Sequence, residues 1–113
     1  MTEERCPHIS AIVTFHGEGL LAHKTLLGLE RVRRFTEAQG IIVELVAVLD
    51  SADSETTDIV TRCPVLRATD QVLEVNNRDP GVSRNSGVFV ARGHCIAIFD
   101  GDDFYTKNWL LGR

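Results

Sequence analysis

No run of apolar residues in this sequence is long enough to span a membrane, and the N-terminus, Met1-Thr2-Glu3-Glu4-Arg5, lacks a signal-peptide pattern. A cytoplasmic location follows as the expectation, with any membrane association left to regions outside this sequence. There is no basic block: 12 Lys and Arg stand against 16 Asp and Glu, for a net charge of −4. Nucleic-acid binding through an electrostatic patch is therefore not expected. Cysteine is scarce and odd in number. Cys6, Cys63 and Cys95 lie far apart with no CxxC spacing, which argues against zinc or a disulfide framework and fits a reducing cytosol. Cys95, inside an apolar run, reads as a small core residue. Internal repeats and low-complexity segments are absent.

What remains is an ordinary soluble domain of 113 residues, 43% hydrophobic and 25% charged, large enough for one core. Ile9 to Phe15 is an apolar, β-branched run and predicts a first strand. After the turn His16-Gly17-Glu18-Gly19, apolar residues from Leu20 to Phe35 recur at three- and four-residue spacing, predicting an amphipathic helix that closes near Gly40. Lys24, Glu30, Arg31, Arg33, Arg34 and Glu37 are expected mostly on its wet face. Ile41 to Leu49 predicts a second strand, apolar enough to be covered on both faces. Ser51-Ala52-Asp53-Ser54 supplies turn and N-cap chemistry for a helix from about Asp53 to Arg62, which Pro64 ends. Gln71 to Asn76 predicts a third strand and Asn77 to Gly81 a loop. A helix is expected from Val82 to Arg92, with Gly93 as its stop, then a buried strand from Cys95 to Phe99. Asn108 to Leu111 reads as the first turn of a further helix.

Strands thus alternate with helices, so the expected class is α/β with a mainly parallel sheet and right-handed crossovers. In such a sheet the carboxyl ends of the strands share one edge, where ligands bind. Three polar stretches fall there: Thr14 to Glu18, Asp50 to Asp53 and Asp100 to Asp103. The last one is sharp, an apolar run stopping at Asp100-Gly101-Asp102-Asp103. Hard divalent cations such as Mg²⁺ or Mn²⁺ take oxygen ligands and bind through one or two carboxylates plus substrate phosphates. Asp100-x-Asp102 offers that arrangement; a solvated acidic turn is the other reading.

Four blocks, in order along the chain, resemble family 2 glycosyltransferases. Val13-Thr14-Phe15-His16-Gly17-Glu18 is similar to the opening strand and turn of that family. Glu44 to Thr57 resembles its second strand with the Val-Asp-Asp-Gly-Ser-x-Asp-x-Thr stretch. Asn77 to Gly87, continuing through Ala91-Arg92-Gly93, is similar to its Gly-x-x-x-Ala-Arg-Asn-x-Gly helix. Ile98-Phe99-Asp100-Gly101-Asp102-Asp103 matches its Phe-Leu-Asp-x-Asp-Asp metal motif. The resemblance implies the Rossmann-like half of a GT-A fold and transfer of a sugar, with inversion, from a UDP-, GDP- or dTDP-linked donor with Mn²⁺ or Mg²⁺. It implies a metal contact at Asp102, and at Asp100 a contact with the metal or with the donor's ribose. Asp103 either joins them or caps the next helix. Arg84 would face the nucleotide or its phosphates, Asp50 would accept from the base, and Thr14, Phe15, His16 and Glu18 would line the nucleoside pocket. The sequence departs from the family where Ser51 replaces the frequent second acidic residue, and where Val13 and His16 replace the usual proline and asparagine.

The family's catalytic base, usually acidic, lies well beyond the metal motif, whereas this sequence stops at Arg113. The expectation is one nucleotide-sugar-binding domain, residues 1–113, from the N-terminal part of a longer enzyme, inactive alone and self-associating through uncovered sheet edge. Two readings compete. A nucleotidyltransferase shares metal and nucleotide but wants a glycine-rich, basic phosphate loop, and His16-Gly17-Glu18-Gly19 has no cationic pair. A non-catalytic binding module, such as a phosphoreceiver-like domain, wants a lysine at a later strand end, where Lys107 is poorly placed.

Overall fold

The computed structural model describes residues 7–100, and the expectations for Cys6, Asp102, Asp103 and the helix at Asn108 to Leu111 lie outside them. Seven elements alternate: β1 (Ile9–Phe15), α1 (Leu20–Glu37), β2 (Val43–Asp50), α2 (Ser54–Thr61), β3 (Gln71–Val75), α3 (Pro80–Val90) and β4 (Cys95–Asp100). The four strands form one sheet in the order β3-β2-β1-β4, and every neighbouring pair is parallel. The class is α/β, as the sequence predicts.

Side chains alternate across a strand, so each strand feeds two layers. One face carries Ala11, Val13 and Phe15 of β1 with Leu45, Ala47 and Leu49 of β2, packed under Ala22, Leu26, Leu29 and Val32 of α1 and Val60 of α2. The other face carries Ile12, Val46 and Val48, packed with Val90 and Ala91 at the end of α3. Helix α3 approaches this face closely at Gly87. A Cβ there would stand 2.6 Å from Cγ2 of Ile12 and 3.1 Å from Cγ2 of Val48, so only glycine fits. All eight residues of β2 are buried, as expected of a strand covered on both sides.

Three expectations are corrected. Helix α3 begins at Pro80, inside the expected loop, because Asp79 accepts from the N–H groups of Gly81 and Val82 and proline suits the first helical turn. Strand β4 is not buried: Cys95 is exposed, and Ile96 and Ile98 are 41% and 44% exposed. Among the described residues it stands at the edge of the sheet with β1 as its one partner, and α3 lies over β1 and β2 instead. Phe99 is enclosed, on the α1 face.

The third correction is Arg33, which is not on the wet face but 0% exposed. Its guanidinium donates to Asp70 (2.7 Å), to the carbonyl of Val65 (3.0 Å) and to Glu30 (2.9 Å). Asp70 in turn accepts from the N–H groups of Leu45 and Arg67. This pair ties the connection between α2 and β3 to both α1 and β2. A second buried carboxylate, Glu44, accepts from the Ser10 hydroxyl, Gln71 and both the N–H and side chain of Arg92. It holds the turn between α3 and β4 against the sheet. Desolvation raises its pKa, but these donors outweigh that and hold it below the ordinary carboxylate value. Both networks sit toward the amino ends of the strands, away from the acidic edge. Among the described residues no helix is long and apolar enough to cross a membrane.

Candidate functional site

At the opposite edge the strands end together. Thr14 is the register partner of Asp100 on one side and of Val48 on the other, and Asp50 is the partner of Val75. The backbone of β4 therefore delivers Asp100, and with it the start of the acidic motif, directly beside the end of β1. Central strand ends and their turns form the floor of the site. Thr14 is buried at this edge on the α3 face. Phe15, by contrast, is 0% exposed and packs into the core under α1, so its side chain serves the fold and not a ligand.

The β1–α1 turn is built from local polar contacts. The N–H of His16 donates to Oε1 of Glu18 at 2.7 Å, and the His16 ring lies 3.4 Å from the other carboxylate oxygen. His16 is exposed and Glu18 half-buried. Gly19, with φ of 59°, opens α1 and donates its N–H to the Thr56 hydroxyl of α2. The carbonyl of His16 accepts from the N–H of Asp53, which links the turns after β1 and β2. Asp53 caps α2 by accepting from the N–H of Thr56. Hydrogen bonding to Thr56 lowers its pKa below the usual carboxylate value.

Asp50 is the organising group. It ends β2 and is 8% exposed. Oδ1 accepts from the N–H groups of Asn77 (2.8 Å) and Arg78 (2.9 Å), and Oδ2 from the N–H of Asp79 (3.2 Å) and the hydroxyl of Ser83. The Ser51 hydroxyl adds a longer contact, 3.4 Å from Oδ1. Desolvation pushes this carboxyl's pKa up, yet the Ser83 hydroxyl and the N–H groups of Arg78, Asn77 and Asp79 prevail and hold it at about 2. Asp50 thereby fixes the loop after β3 and the first turn of α3. Arg84 follows Ser83 on that helix and is half-buried.

Next to Asp50, Ser51 adopts a left-handed φ of 50°. Its N–H donates to the carbonyl of Val75, and its hydroxyl donates to Oδ1 of Asn76. Both side chains are exposed at the ends of neighbouring strands β2 and β3. The structure thus gathers Thr14, His16, Glu18, Asp50 and the backbone of Asp100 at one edge, with Arg84 on the helix that starts there. It adds Ser83 and Asn76, which sequence reasoning missed. The signal for Ser83 was weak: only its place one turn after the cap residue Asp79. Among the described residues no group of three or more His, Cys, Asp and Glu forms a metal cage.

The comparisons with known proteins agree with this architecture. Over 72 residues the chain is 40% identical to the succinoglycan biosynthesis protein ExoO of Rhizobium meliloti (strain 1021), which covers 64% of this chain and 20% of that protein. The mannosyltransferase PcManGT of Pyrobaculum calidifontis, solved in complex with GDP-Man and Mn²⁺, superposes with a TM-score of 0.77 at 20% identity over 94% of this chain and 31% of that one. S. aureus TarS 1-349 superposes with a TM-score of 0.71 at 25% identity over 92% of this chain and 30% of that one. The chain thus spans about a fifth of the curated relative's length and under a third of these two structures. The parallel sheet and its helices are the Rossmann-like half of a GT-A fold. The family model for glycosyl transferase family 2 matches residues 10–112, and the chain belongs to that family.

Proposed function

We propose that this chain forms the donor-binding part of a glycosyltransferase that takes a nucleotide-diphospho-sugar with a divalent cation and transfers the sugar with inversion. The observation that supports the reading is the pairing of Thr14 with Asp100 across β1 and β4, which brings the backbone of Asp100 beside the end of β1. A nucleoside would lie along that edge, bordered by Thr14, His16 and Glu18. Its diphosphate would extend toward β4 and the carboxylates of Asp100, Asp102 and Asp103. Arg84 would supply positive charge toward the phosphates. That PcManGT was solved with GDP-Man and Mn²⁺ supports this class of donor and metal.

The residues fit a hard cation in kind, since Asp100, Asp102 and Asp103 offer only oxygen. A bound Mn²⁺ or Mg²⁺ would neutralise the pyrophosphate as the sugar–phosphate bond breaks. The chain's own part is to bind and orient: the rigid strand ends fix the nucleoside and hold the sugar–phosphate bond at one place. No described residue is assigned as the base that takes the acceptor's proton.

Paramagnetic titration tests the proposal. Adding UDP, GDP or dTDP to the chain with Mn²⁺ should deplete the free Mn²⁺ signal beyond what nucleotide alone does. Asp102→Ala should remove that depletion and leave the unfolding midpoint unchanged. Equal Mn²⁺ retention by the variant would sink the metal assignment.

A further inference from the structure

We infer that the outward face of α1 is a docking surface for a lipid bilayer that carries anionic headgroups. The exposed residues of this helix are Leu20, Lys24, Leu27, Arg31 and Arg34, and no others. Their spacing, four and three residues in turn, sets them in one stripe along the helix. Leucine and cation alternate in it as far as Arg31, and no carboxylate falls on it. Leu20 is 74% exposed and Leu27 41%. The two carboxylates of the helix, Glu30 and Glu37, are half-buried and held off the stripe by ion pairs, Glu30 with Arg33, Arg34 and Arg67, and Glu37 with Arg67. Arg34, which shares Glu30, contributes least positive charge to the stripe. The chain as a whole carries −4, so a basic face on it is a segregation of charge and not an average.

From Leu20 to Arg34 the stripe runs about 21 Å, at 1.5 Å per residue. A single line of side chains on a convex helix offers no pocket to a protein partner. It suits a flat, deformable surface, where leucines enter the headgroup layer and the long stems of lysine and arginine let their charges reach the phosphates. Two copies laid face to face would set cation against cation, which disfavours a dimer through this stripe. The neighbouring helix α2 exposes Glu55 and Asp58, so a bilayer would meet α1 along its stripe and stand off α2. Because α1 follows β1, Leu20 lies toward the carboxyl edge of the sheet, and docking would set that edge beside the membrane surface.

Co-sedimentation of the full chain with two kinds of vesicle tests this: phosphatidylcholine alone, and phosphatidylcholine with an equal part of phosphatidylserine. Binding should occur on the second only and fall as salt rises. Lys24→Gln/Arg31→Gln should weaken it about thirtyfold, about fivefold for each cation removed. Leu20→Ser should weaken it severalfold, and Arg62→Gln, which removes an exposed cation off the stripe, should leave it unchanged. All four side chains are exposed, and equal unfolding midpoints check that each variant is folded. No binding to the mixed vesicles overturns the inference. So does binding that the double variant keeps, that Leu20→Ser leaves untouched, or that Arg62→Gln weakens as much as the stripe variants do. Retention on immobilised polyglutamate without binding to vesicles would assign the face to an acidic protein and overturn the lipid reading. No nucleotide takes part in this measurement, so its outcome is separate from that of the donor-site reading.

Discussion

Replacing Asp50 by asparagine removes a charge while nearly preserving shape, so the cost isolates what the carboxylate does. Its pKa falls from 3.8 to about 2 in the folded chain. At about 1.4 kcal/mol per unit, that difference corresponds to about 2 kcal/mol of stability at neutral pH. The asparagine oxygen still serves two donors, and the Ser83 hydroxyl can turn to accept from the new amide. The N–H of Asp79 then faces another N–H, and leaving this partly buried donor unsatisfied costs about 1–3 kcal/mol. The charge and hydrogen-bond figures describe the same contacts, so the expected loss is about 2–3 kcal/mol, lowering the unfolding midpoint by roughly 10 °C. Because the folded pKa is depressed, the parent's advantage is complete above the unfolded value near 4. It is lost as pH falls through 4 toward 2. Urea unfolding of parent and variant from pH 7 to pH 2.5 should show a gap that narrows across that window. A gap under about 0.5 kcal/mol at pH 7, or one that stays constant with pH, would refute the reasoning.

Gly87→Ala should destabilise by about 1–3 kcal/mol through the clash with Ile12, whereas Gly28→Ala, whose Cβ meets nothing within 4 Å, should be neutral or stabilising. Thermal unfolding of the two side by side separates a packing requirement from helix propensity. Arg33→Leu should cost about 3–5 kcal/mol by stranding Asp70, and Asp70→Asn in that background should recover part of the loss in a double-mutant cycle. Ile98→Thr on the exposed face of β4 should leave stability within about 0.5 kcal/mol and reduce any concentration-dependent association seen by sedimentation.

Most of the architecture was legible because the two periodicities are distinct. The apolar β-branched runs gave all four strands within a residue or two, and Leu26, Leu29 and Val32 marked the buried stripe of α1. Arg33 lies on that same stripe, one turn after Leu29. Its charge suggested solvent, and its partner Asp70 is too far along the chain for sequence spacing to reveal. The exposure of β4 was hidden for a related reason: an apolar run does not say whether its strand is central or at an edge. At the site, the strand-end carboxylates announced themselves. The saturation of Asp50 did not, because three of its donors are backbone N–H groups from a loop 27 to 29 residues away.

The central claim is that this edge binds a nucleoside diphosphate together with a divalent cation. Calorimetric titration of the chain with UDP, GDP and dTDP, each with and without Mn²⁺, tests it most directly. The account predicts saturable binding of at least one of them that depends on Mn²⁺. Binding of none, or binding indifferent to the metal, would contradict it.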